Sequence, residues 1–373
     1  MDRRKFVTTA ALAGTAGALS ACGGGGAPAQ AECATGEARF EPIEWKMVTA
    51  WPRDFPGLGT GANRLAEYIG RLSNGRLTVK VYGGGELVPP FEVFDAVSRG
   101  TAEMGHSTSY YWKGKVPAAQ LFCTAPFGLT AQEINGWLYY GGGLELYREA
   151  YAPFGIVPFP AGNSGTQMGG WFNKEINSLE DIKGLKMRIP GLGGEILERA
   201  GGTPVVTPGS EVFTALQTGT IDAAEWVGPW NDLALGLFRA GEYYYTPGWQ
   251  ESASSIEAMV NAEALAALPE DLKAIVEIAA QAVNTDMLSE FTWHNSQALR
   301  TLKEEHGVKV RQFPDDVMEQ LREVTWAHFE DLAAEDELFA RVLASYREYY
   351  DAVTPYSRIA EQALMNLRPE PGA

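Results

Sequence analysis

The sequence predicts a two-lobed α/β protein that ends in long helices. From about residue 41, short strand-like segments alternate with amphipathic helical segments, which is typical of a mainly parallel sheet covered by helices. The same rhythm begins again after residue 162, and 373 residues are more than one compact domain usually contains. From about residue 269 the pattern becomes helical, with long apolar and aromatic stripes.

The first residues are typical of an export signal. Arg3 and Arg4 form a twin-arginine start, and an uncharged run of apolar and small residues follows at 7–19. That run is too short for a membrane-spanning helix, which needs about 20 apolar residues. We therefore predict a removable signal at residues 1–21 and a periplasmic location for the mature protein.

The end of this signal predicts a lipid anchor. The stretch from Leu19 to Cys22 resembles a bacterial lipobox, in which the cysteine becomes the lipidated first residue. The glycine- and alanine-rich stretch that follows, within 22–40, is typical of a flexible tether. The alternative is ordinary soluble export, with Cys22 incidental.

The elements of each α/β unit follow from hydrophobic periodicity and turn residues. In the first unit, strands are predicted at 44–49 and 77–82, and helices at 61–72 and 91–98. In the second unit, a turn capped by Ser178 is predicted, with strands and helices at the following positions. The strands are 168–173, 185–189, 204–207 and 221–226, and the helices are 195–200 and 212–218.

Two helical regions, 271–305 and 315–367, follow the second unit. Their stripes contain many aromatic residues, including Phe291, Trp326 and Tyr350. A stripe at helical spacing is usually core. Because the aromatic residues exceed what one helix needs to pack on a lobe, a homodimer interface through these helices is a second hypothesis.

The chain is strongly acidic, which excludes one class of partner. Its formal net charge is −17, and loss of residues 1–21, which carry a net +2, leaves −19. Nucleic acid requires a basic face for its phosphates, so no nucleic-acid partner is expected. A small anionic ligand remains compatible, because one buried arginine can dominate the potential of a local site.

Motifs of common enzyme classes are incomplete. The glycine-rich stretch 57–62 matches a dinucleotide fingerprint, but the strand at 77–82 ends without the acid that would hold a ribose hydroxyl. The four histidines lack zinc-site spacing, and no nucleophile elbow is present. We therefore predict a binding protein and not an enzyme.

The cysteine content leaves two alternatives open. Besides Cys22 the chain contains only Cys33 and Cys123. These two form a disulfide in an oxidising compartment, or Cys33 belongs to the tail and Cys123 is a small buried residue. One pair in so long a chain is not a disulfide scaffold.

The middle of the chain contains four distinctive blocks. They are NSGTQMGGWF at 163–172, DIKGLKMRIPG at 181–191, GTIDAAEWVGP at 219–229 and YYYTPGWQE at 243–251. With the surrounding chain, from Trp45 to the C-terminal helices, they resemble the solute-binding proteins of TRAP transporters, the DctP-type family. The similarity is strongest to the branch that binds 2-oxo acids and lactate.

The resemblance implies a two-lobed periplasmic binding protein fold. In this fold crossing hinge strands join the lobes, the ligand is closed in the cleft, and long C-terminal helices pack across the lobes. We assign 41–166 and 226–252 to lobe I, 167–225 and 253–310 to lobe II, and 311–373 to the C-terminal helices.

The resemblance also implies one arginine that binds the ligand carboxylate, and the matching position is Arg188. The residue types agree, because Arg188 ends a predicted strand just before glycines and a helix. Strand ends face ligand crevices in open sheets, and a guanidinium binds a carboxylate through two parallel hydrogen bonds.

In the 2-oxo-acid and lactate branch a cation lies beside the ligand. The ligands that the resemblance implies for it are Gln167, Glu225, the backbone carbonyl of Trp226, and Glu251. In the predicted map these residues lie at three points where the chain crosses between lobes. They are therefore expected to converge at the hinge.

Counting charges favours one cation. Two glutamates, Arg188 and a ligand carboxylate leave −2, which Ca²⁺ cancels and Na⁺ does not, and uncompensated buried charge costs several kcal/mol. All-oxygen ligands also suit Ca²⁺. We therefore expect Ca²⁺, with Na⁺ as the alternative, which gains if Gln250 replaces Glu251 as a ligand.

Aromatic residues are expected to complete the pocket and to favour a compact acid. Tyr110, Tyr111, Phe172 and Trp226 are the candidates, together with Gln167. The sequence thus predicts a receptor that captures a small 2-oxo or 2-hydroxy monocarboxylate, such as pyruvate or lactate, and delivers it to a TRAP membrane permease. The alternatives are a metal-dependent enzyme acting on a small carboxylic acid and a ligand-sensing lipoprotein.

Overall fold

The computed structural model describes residues 41–369, so the predicted export signal, tether and lipidation site at Cys22 lie outside the described residues. Within that range eleven strands form two sheets. The strands are β1 (Ile43–Thr49), β2 (Leu77–Tyr82), β3 (Met104–Ser107), β4 (Ile156–Asn163), β5 (Gly170–Phe172), β6 (Lys186–Arg188), β7 (Thr203–Val205), β8 (Ala223–Ala224), β9 (Tyr243–Thr246), β10 (Ser255–Asn261) and β11 (Val310–Gln312).

Helices cover both sheets, which confirms the predicted α/β class. The helices are α1 (Leu58–Leu72), α2 (Val93–Ser98), α3 (Ala119–Cys123), α4 (Ala131–Tyr140), α5 (Gly143–Tyr151), α6 (Gly191–Arg199), α7 (Gly209–Gln217), α8 (Pro229–Leu235), α9 (Ala262–Ala266), α10 (Glu270–Glu304), α11 (Asp315–Glu335), α12 (Glu337–Ser357) and α13 (Ala363–Asn366). In residues 41–369 no helix is both long enough and apolar enough to cross a membrane.

The first sheet has the strand order β2-β1-β3-β10-β4. Strand β1 pairs in parallel with both β2 and β3, as the alternating strand and helix pattern predicts. Strand β10 lies antiparallel between β3 and β4. We call this sheet, with the helices packed on it, the first lobe.

The second sheet has the order β11-β9-β5-β8-β6-β7. Strand β6 is parallel to β7 and β8, whereas β5 is antiparallel to β8 and β9. We call this sheet, with its helices, the second lobe. Both sheets therefore combine a parallel part with inserted antiparallel strands.

The inserted strands contradict part of the predicted lobe division. The predicted lobe I includes residues 243–246, which form β9 of the second sheet, and the predicted lobe II includes 255–261, which form β10 of the first sheet. Helix α10 also packs on β4 of the first lobe. The division was wrong because an antiparallel strand that enters from a crossing segment does not follow the strand-helix-strand rhythm.

Two crossing segments connect the lobes and are hydrogen-bonded to each other. Residues 164–169 lead from β4 to β5, and residues 247–254 lead from β9 back to β10. The Gln167 amide donates to the Glu251 carbonyl at 3.1 Å, and the Gly248 amide donates to the Gln167 carbonyl at 3.1 Å. A third segment joins them, because the Met168 amide donates to the Val227 carbonyl at 3.1 Å.

The C-terminal helices contact both lobes. Val317 and Leu321 of α11 are buried in the core of the second lobe, whereas Phe329 of α11 and Phe339 of α12 are buried with first-lobe residues. The predicted continuous helical region 315–367 is interrupted at Asp336, whose side chain caps α12 by accepting the Phe339 amide at 2.7 Å.

Helix α10 runs close to the first sheet and to α1. The approach is close at two glycines, because a Cβ on Gly61 or Gly162 would lie 2.1 and 2.4 Å from atoms of the Met287 side chain. Gly162 lies two residues before the first crossing segment, so α10 packs against the end of β4 from which that segment leaves the first lobe.

Cys123 is fully buried at the end of α3 and forms no disulfide with any residue of 41–369. Its sulfur lies 2.9 Å from the Thr108 hydroxyl and 3.4 Å from the Ser254 hydroxyl. Cys33, its predicted disulfide partner, lies outside the described residues. The alternative of a small buried residue thus agrees with the surroundings of Cys123.

Candidate functional site

Arg188 and Glu225 meet because their strands end at the same edge of the second sheet. Strands β6 and β8 are parallel, with Arg188 opposite Ala224, so Glu225 follows immediately beyond the carboxyl end of β8. The Glu225 amide also donates to the Arg188 carbonyl at 3.1 Å. In open α/β sheets this edge is where ligands bind.

The Arg188 guanidinium is buried and only partly satisfied. Its Nη1 donates to the Glu225 backbone carbonyl at 3.0 Å and to Glu225 Oε1, and its Nε donates to the Thr207 carbonyl at 3.4 Å. The guanidinium also lies over the Trp226 ring, 4.9 Å from its centre. Its Nη2 has no hydrogen-bond partner among the described residues. One donor nitrogen of a buried cation is therefore available for a ligand.

Gln167 and Glu251 meet where the two crossing segments run together. Gln167 Nε2 donates to Glu251 Oε2 at 2.7 Å and to the Ser164 hydroxyl at 3.3 Å. Gln167 Oε1 is buried and, within 41–369, makes no hydrogen bond. The neighbouring Gln250 instead donates to the Met168 carbonyl at 2.9 Å.

Five of the predicted site residues line one cavity between the lobes. They are Gln167, Arg188, Trp226, Tyr110 and Tyr111. The cavity measures about 10 Å³, which on this scale is the room of about one water molecule. Glu225 and Glu251, both buried, contact this lining through Arg188 and Gln167.

The prediction that Phe172 lines the pocket is wrong. Phe172 is buried in the core of the second lobe, with its ring 5.0 Å from the Tyr245 ring and 5.8 Å from the Phe313 ring. All three residues of β5 are buried, so strand alternation gave no sign of which face the side chain takes. The neighbouring Trp171 faces Tyr244 and also lies outside the cavity.

Sequence reasoning missed the rest of the lining. Trp51 follows β1, and Leu58 begins α1 within the glycine-rich segment 57–62. Ser164 and Ser254 lie on the two crossing segments. Their positions beside Gln167 and Glu251 were a usable signal. The missed lining residues are Trp51, Leu58, Ser164, Val227, Ser254 and Ile256.

A third buried carboxylate, Asp232, lies behind the site. Asp232 of α8 accepts hydrogen bonds from the Tyr244 hydroxyl at 2.7 Å, from Trp171 Nε1 at 3.0 Å and from the Val227 amide at 3.4 Å. Burial raises the pKa of Asp232 to about 6, against the effect of these hydrogen bonds. Asp232 thus anchors the segment that carries Glu225 and Trp226.

The buried carboxyl groups at the hinge lack sufficient positive charge. Burial raises the pKa of Glu225 to about 7, against the opposing Arg188 guanidinium. Burial, and then the Glu225 charge, raise the pKa of Glu251 well above its usual range. Burial raises the pKa of Tyr111 to about 12. An added positive charge would favour the ionised form of both glutamates.

The donor set fits a cation that prefers oxygen. Within residues 41–369 no group of three or more His, Cys, Asp or Glu side chains could hold a metal. Two buried oxygens near Arg188, Gln167 Oε1 and Glu225 Oε2, have no hydrogen-bond partner there. Amide and carboxylate oxygens are ligands of Ca²⁺ and are poor ligands for softer metals.

A family comparison identifies the class of protein. Residues 47–336 match the DctP family model, described as bacterial extracellular solute-binding protein, family 7. The chain belongs to this family. The resemblance found in the sequence is therefore confirmed, and the chain is a solute-binding receptor of the TRAP type. A curated relative, the monocarboxylate 2-oxoacid-binding periplasmic protein of Nostoc sp. (strain PCC 7120), is 39% identical, and the match covers 98% of this chain and 99% of the relative.

Solved structures of TRAP periplasmic solute-binding proteins are similar to this chain over most of its length. The protein from Pseudoalteromonas atlantica, with bound sodium and pyruvate, is 42% identical with a TM-score of 0.86, covering 88% of this chain and 100% of its own. The protein from Colwellia psychrerythraea, with bound calcium and pyruvate, is 41% identical with a TM-score of 0.86, covering 87% and 99%. A Bordetella bronchiseptica protein, a mixed-occupancy dimer with copurified calcium and picolinate, is 38% identical with a TM-score of 0.85, covering 87% and 96%.

Proposed function

We propose that this receptor captures a small 2-oxo or 2-hydroxy monocarboxylate, of the size of pyruvate or lactate, together with a cation at the hinge between its lobes. The observation that carries the proposal is the buried Arg188 guanidinium at the wall of the cavity, whose Nη2 has no hydrogen-bond partner within residues 41–369. A carboxylate supplies the acceptor that this nitrogen lacks, and charge-assisted hydrogen bonds of this kind are strong.

The remaining polar groups are placed to hold the rest of the ligand and the cation. Gln167, Glu225 and Glu251 are the side chains we assign to the cation, with the Trp226 carbonyl as a further ligand. A bound cation would supply positive charge both to the glutamates and to the acid. Tyr110 and Tyr111 offer hydroxyl groups that suit the 2-oxygen of the acid.

The size and walls of the cavity favour a short acid. Trp51, Leu58, Val227 and Ile256 supply apolar walls, and Trp226 adds an aromatic face. Because a cavity of about 10 Å³ has room for about one water molecule, even a short acid requires movement of these side chains or of the lobes, and a longer acid requires more. Closure of two lobes on the ligand is a common hinge motion and requires no chemical step.

The identity of the cation is the open choice of this proposal. Two solved relatives with pyruvate contain sodium in one case and calcium in the other. Glu251 bonds directly to Gln167 and carries a negative charge that Gln250 lacks, so we assign Glu251 to the cation. With both glutamates in the site, Ca²⁺ balances the charge and is our choice, with Na⁺ as the alternative.

Delivery and location belong to the same proposal. We place the mature protein in the periplasm, anchored through a lipidated Cys22, where it passes its ligand to the TRAP membrane permease. Exposed apolar residues on the last helical turns, Tyr356, Ile359 and Leu367 among them, support a homodimer through the C-terminal helices. A dimeric mass in sedimentation that an Ile359→Asp variant loses would support this interface, and a monomeric wild-type protein would contradict it.

Calorimetric titration with a panel of acids tests the proposed ligand class. Pyruvate, lactate, 2-oxobutyrate and succinate are titrated into protein stripped with EDTA and dialysed into sodium-free buffer, then into protein supplied with Ca²⁺ or with Na⁺. We expect the monocarboxylates to bind with the cation present and succinate to bind far more weakly, because its second carboxylate adds uncompensated charge. Absence of monocarboxylate binding under every condition would contradict the proposal.

Two further measurements distinguish a transport receptor from the two alternative functions. NMR spectra of pyruvate after long incubation with the Ca²⁺-loaded protein should show unchanged acid, whereas turnover would favour the metal-dependent enzyme. Cells lacking this protein should lose uptake of labelled pyruvate. Unchanged uptake with intact binding would favour the ligand-sensing lipoprotein.

A further inference from the structure

A second polar cluster joins the lobes outside the ligand cavity. Lys113 Nζ lies 2.6 Å from Glu195 Oε1, and His328 Nε2 lies 2.7 Å from Glu195 Oε2. Both oxygens of the Glu195 carboxylate are therefore engaged, each by a different part of the fold. None of the three residues lines the cavity between the lobes.

Lys113 belongs to the first lobe. It directly follows the short 3₁₀ turn Ser109–Trp112, which carries the cavity residues Tyr110 and Tyr111. Trp112 Nε1 donates to Glu257 of β10 at 2.6 Å, and Trp112 is buried in the first-lobe core. The backbone that carries Lys113 is thus held to the first sheet.

Glu195 lies on the other side of the cleft. It is in α6, which begins just beyond Arg188 and packs on β7 of the second lobe. His328 is in α11, which packs on α6 at the point where this helix passes from the second-lobe core, at Val317, to the first-lobe core, at Phe329. The Lys113–Glu195 pair therefore crosses the cleft, and His328 holds the other Glu195 oxygen from the helix that contacts both lobes.

The cleft is tightly closed at this point. A Cβ on Gly191, at the start of α6, would lie 3.1 Å from the Tyr110 Cβ. The side chains of Lys113 and Glu195 are 39% and 20% exposed, so the pair is at the rim and is partly shielded from water. Burial opposes ionisation of Glu195, but hydrogen bonds from His328 and Lys113 outweigh it and hold the pKa of Glu195 below its usual range.

We propose that Lys113, Glu195 and His328 form a latch that holds the two lobes closed. Lys113 and Glu195 make the contact that breaks when the cleft opens, and His328 is a positioning residue that fixes the Glu195 carboxylate toward Lys113. The proposal rests on the proposed function, because the latch slows release of the captured acid. The latch itself touches neither the ligand nor the cation residues.

The expected effect is moderate because the pair is partly exposed. Ion pairs of this kind contribute about 0.2–1 kcal/mol, so loss of Lys113 should increase the opening of the cleft and the ligand dissociation rate by roughly 1.5- to 5-fold. High salt should reduce the difference between variant and wild type.

Hydrogen exchange on the ligand-free, full-length protein tests the latch without any ligand. Amides in the peptide 104–116 should exchange faster in Lys113→Ala and Glu195→Gln than in wild type, and Lys113→Arg should restore the wild-type rate. The matched control is Lys115→Ala, which removes a 2.9 Å bond to Asp95 within the first lobe and should leave exchange at the cleft unchanged. If the amides of Lys113→Ala exchange at the wild-type rate, or at the rate of Lys115→Ala, the proposed latch is wrong.

Stopped-flow release of pyruvate from the Ca²⁺-loaded protein separates the two proposals. Wild-type protein that fails to bind pyruvate contradicts the proposed function. In that case the latch is tested by the hydrogen-exchange experiment alone. Wild-type protein that binds pyruvate, with the same release rate in Lys113→Ala, contradicts the latch and leaves the proposed function intact.

Discussion

Replacement of Arg188 by lysine separates ligand binding from folding. Arg188 is buried, and its Nη1 is already paired with Glu225, so the arginine compensates a buried carboxylate as well as offering Nη2 to a ligand. Arg188→Ala is a poor test, because breaking a buried ion pair costs about 3–5 kcal/mol of stability and the variant loses binding by unfolding. Arg188→Lys keeps the charge beside Glu225 but has no second nitrogen.

The magnitude follows from that missing donor. A hydrogen bond to a charged group contributes about 1.5–3 kcal/mol, so the Kd for pyruvate should rise by roughly 10- to 150-fold. An ammonium group also matches the planar carboxylate less well than a guanidinium does, which raises the Kd further. The free energy of unfolding should change much less, because no buried charge is left unpaired.

Calorimetry with pyruvate and saturating Ca²⁺ measures the Kd, and thermal unfolding confirms that the variant is folded. The matched control is Arg64→Lys, since Arg64 pairs with Asp286 and Glu290 in a half-buried cluster away from the cavity. We expect the control to bind like wild type. Arg188→Lys with a Kd within twofold of wild type would refute Arg188 as the carboxylate anchor.

Three further predictions test other parts of the account. Glu251→Gln should weaken the dependence of pyruvate binding on Ca²⁺ in calorimetry, and an unchanged Ca²⁺ requirement would exclude Glu251 as a cation ligand. Phe172→Ala should lower the free energy of unfolding in urea by about 3–5 kcal/mol, because the ring lies in the core. The folded variant should bind pyruvate with the wild-type Kd, and a large rise in Kd would indicate that Phe172 lines the pocket. Burial raises the pKa of Glu257 from 4.5 to about 7, so this carboxyl stabilises the fold below pH 4.5 and loses that contribution as the pH rises through about 7, by up to about 3 kcal/mol. Wild type should therefore lose more stability in urea between pH 5 and pH 8 than Glu257→Gln, and parallel losses would contradict this.

Elements with a clear period were predictable from the sequence. Strand β2 has the predicted bounds, 77–82, and α1 ends at the predicted residue, because their apolar positions repeat with a single period. The position of Arg188 at a strand end was likewise visible, since the motif, the glycines and the following helix agree with one another. The meeting of Arg188 with Glu225 then follows from parallel strands that end at one edge.

What the sequence could not give were the properties set by pairing between distant segments. The antiparallel insertion of β10 between β3 and β4 depends on which edge accepts it, and no local pattern records that choice. The orientation of Phe172 and the role of Asp232 depend in the same way on neighbours from other strands. The Lys113–Glu195 contact joins residues 82 positions apart and exists only because the lobes close.

A crystal structure of the protein with pyruvate and Ca²⁺ tests the central claim most directly. We expect the acid to bind in the cavity between the lobes, with its carboxylate on the Arg188 guanidinium. The cation should be bound by oxygens of Gln167, Glu225 and Glu251. Pyruvate bound elsewhere, with Arg188 still paired only to Glu225 and Thr207 and no cation at the hinge, would contradict it.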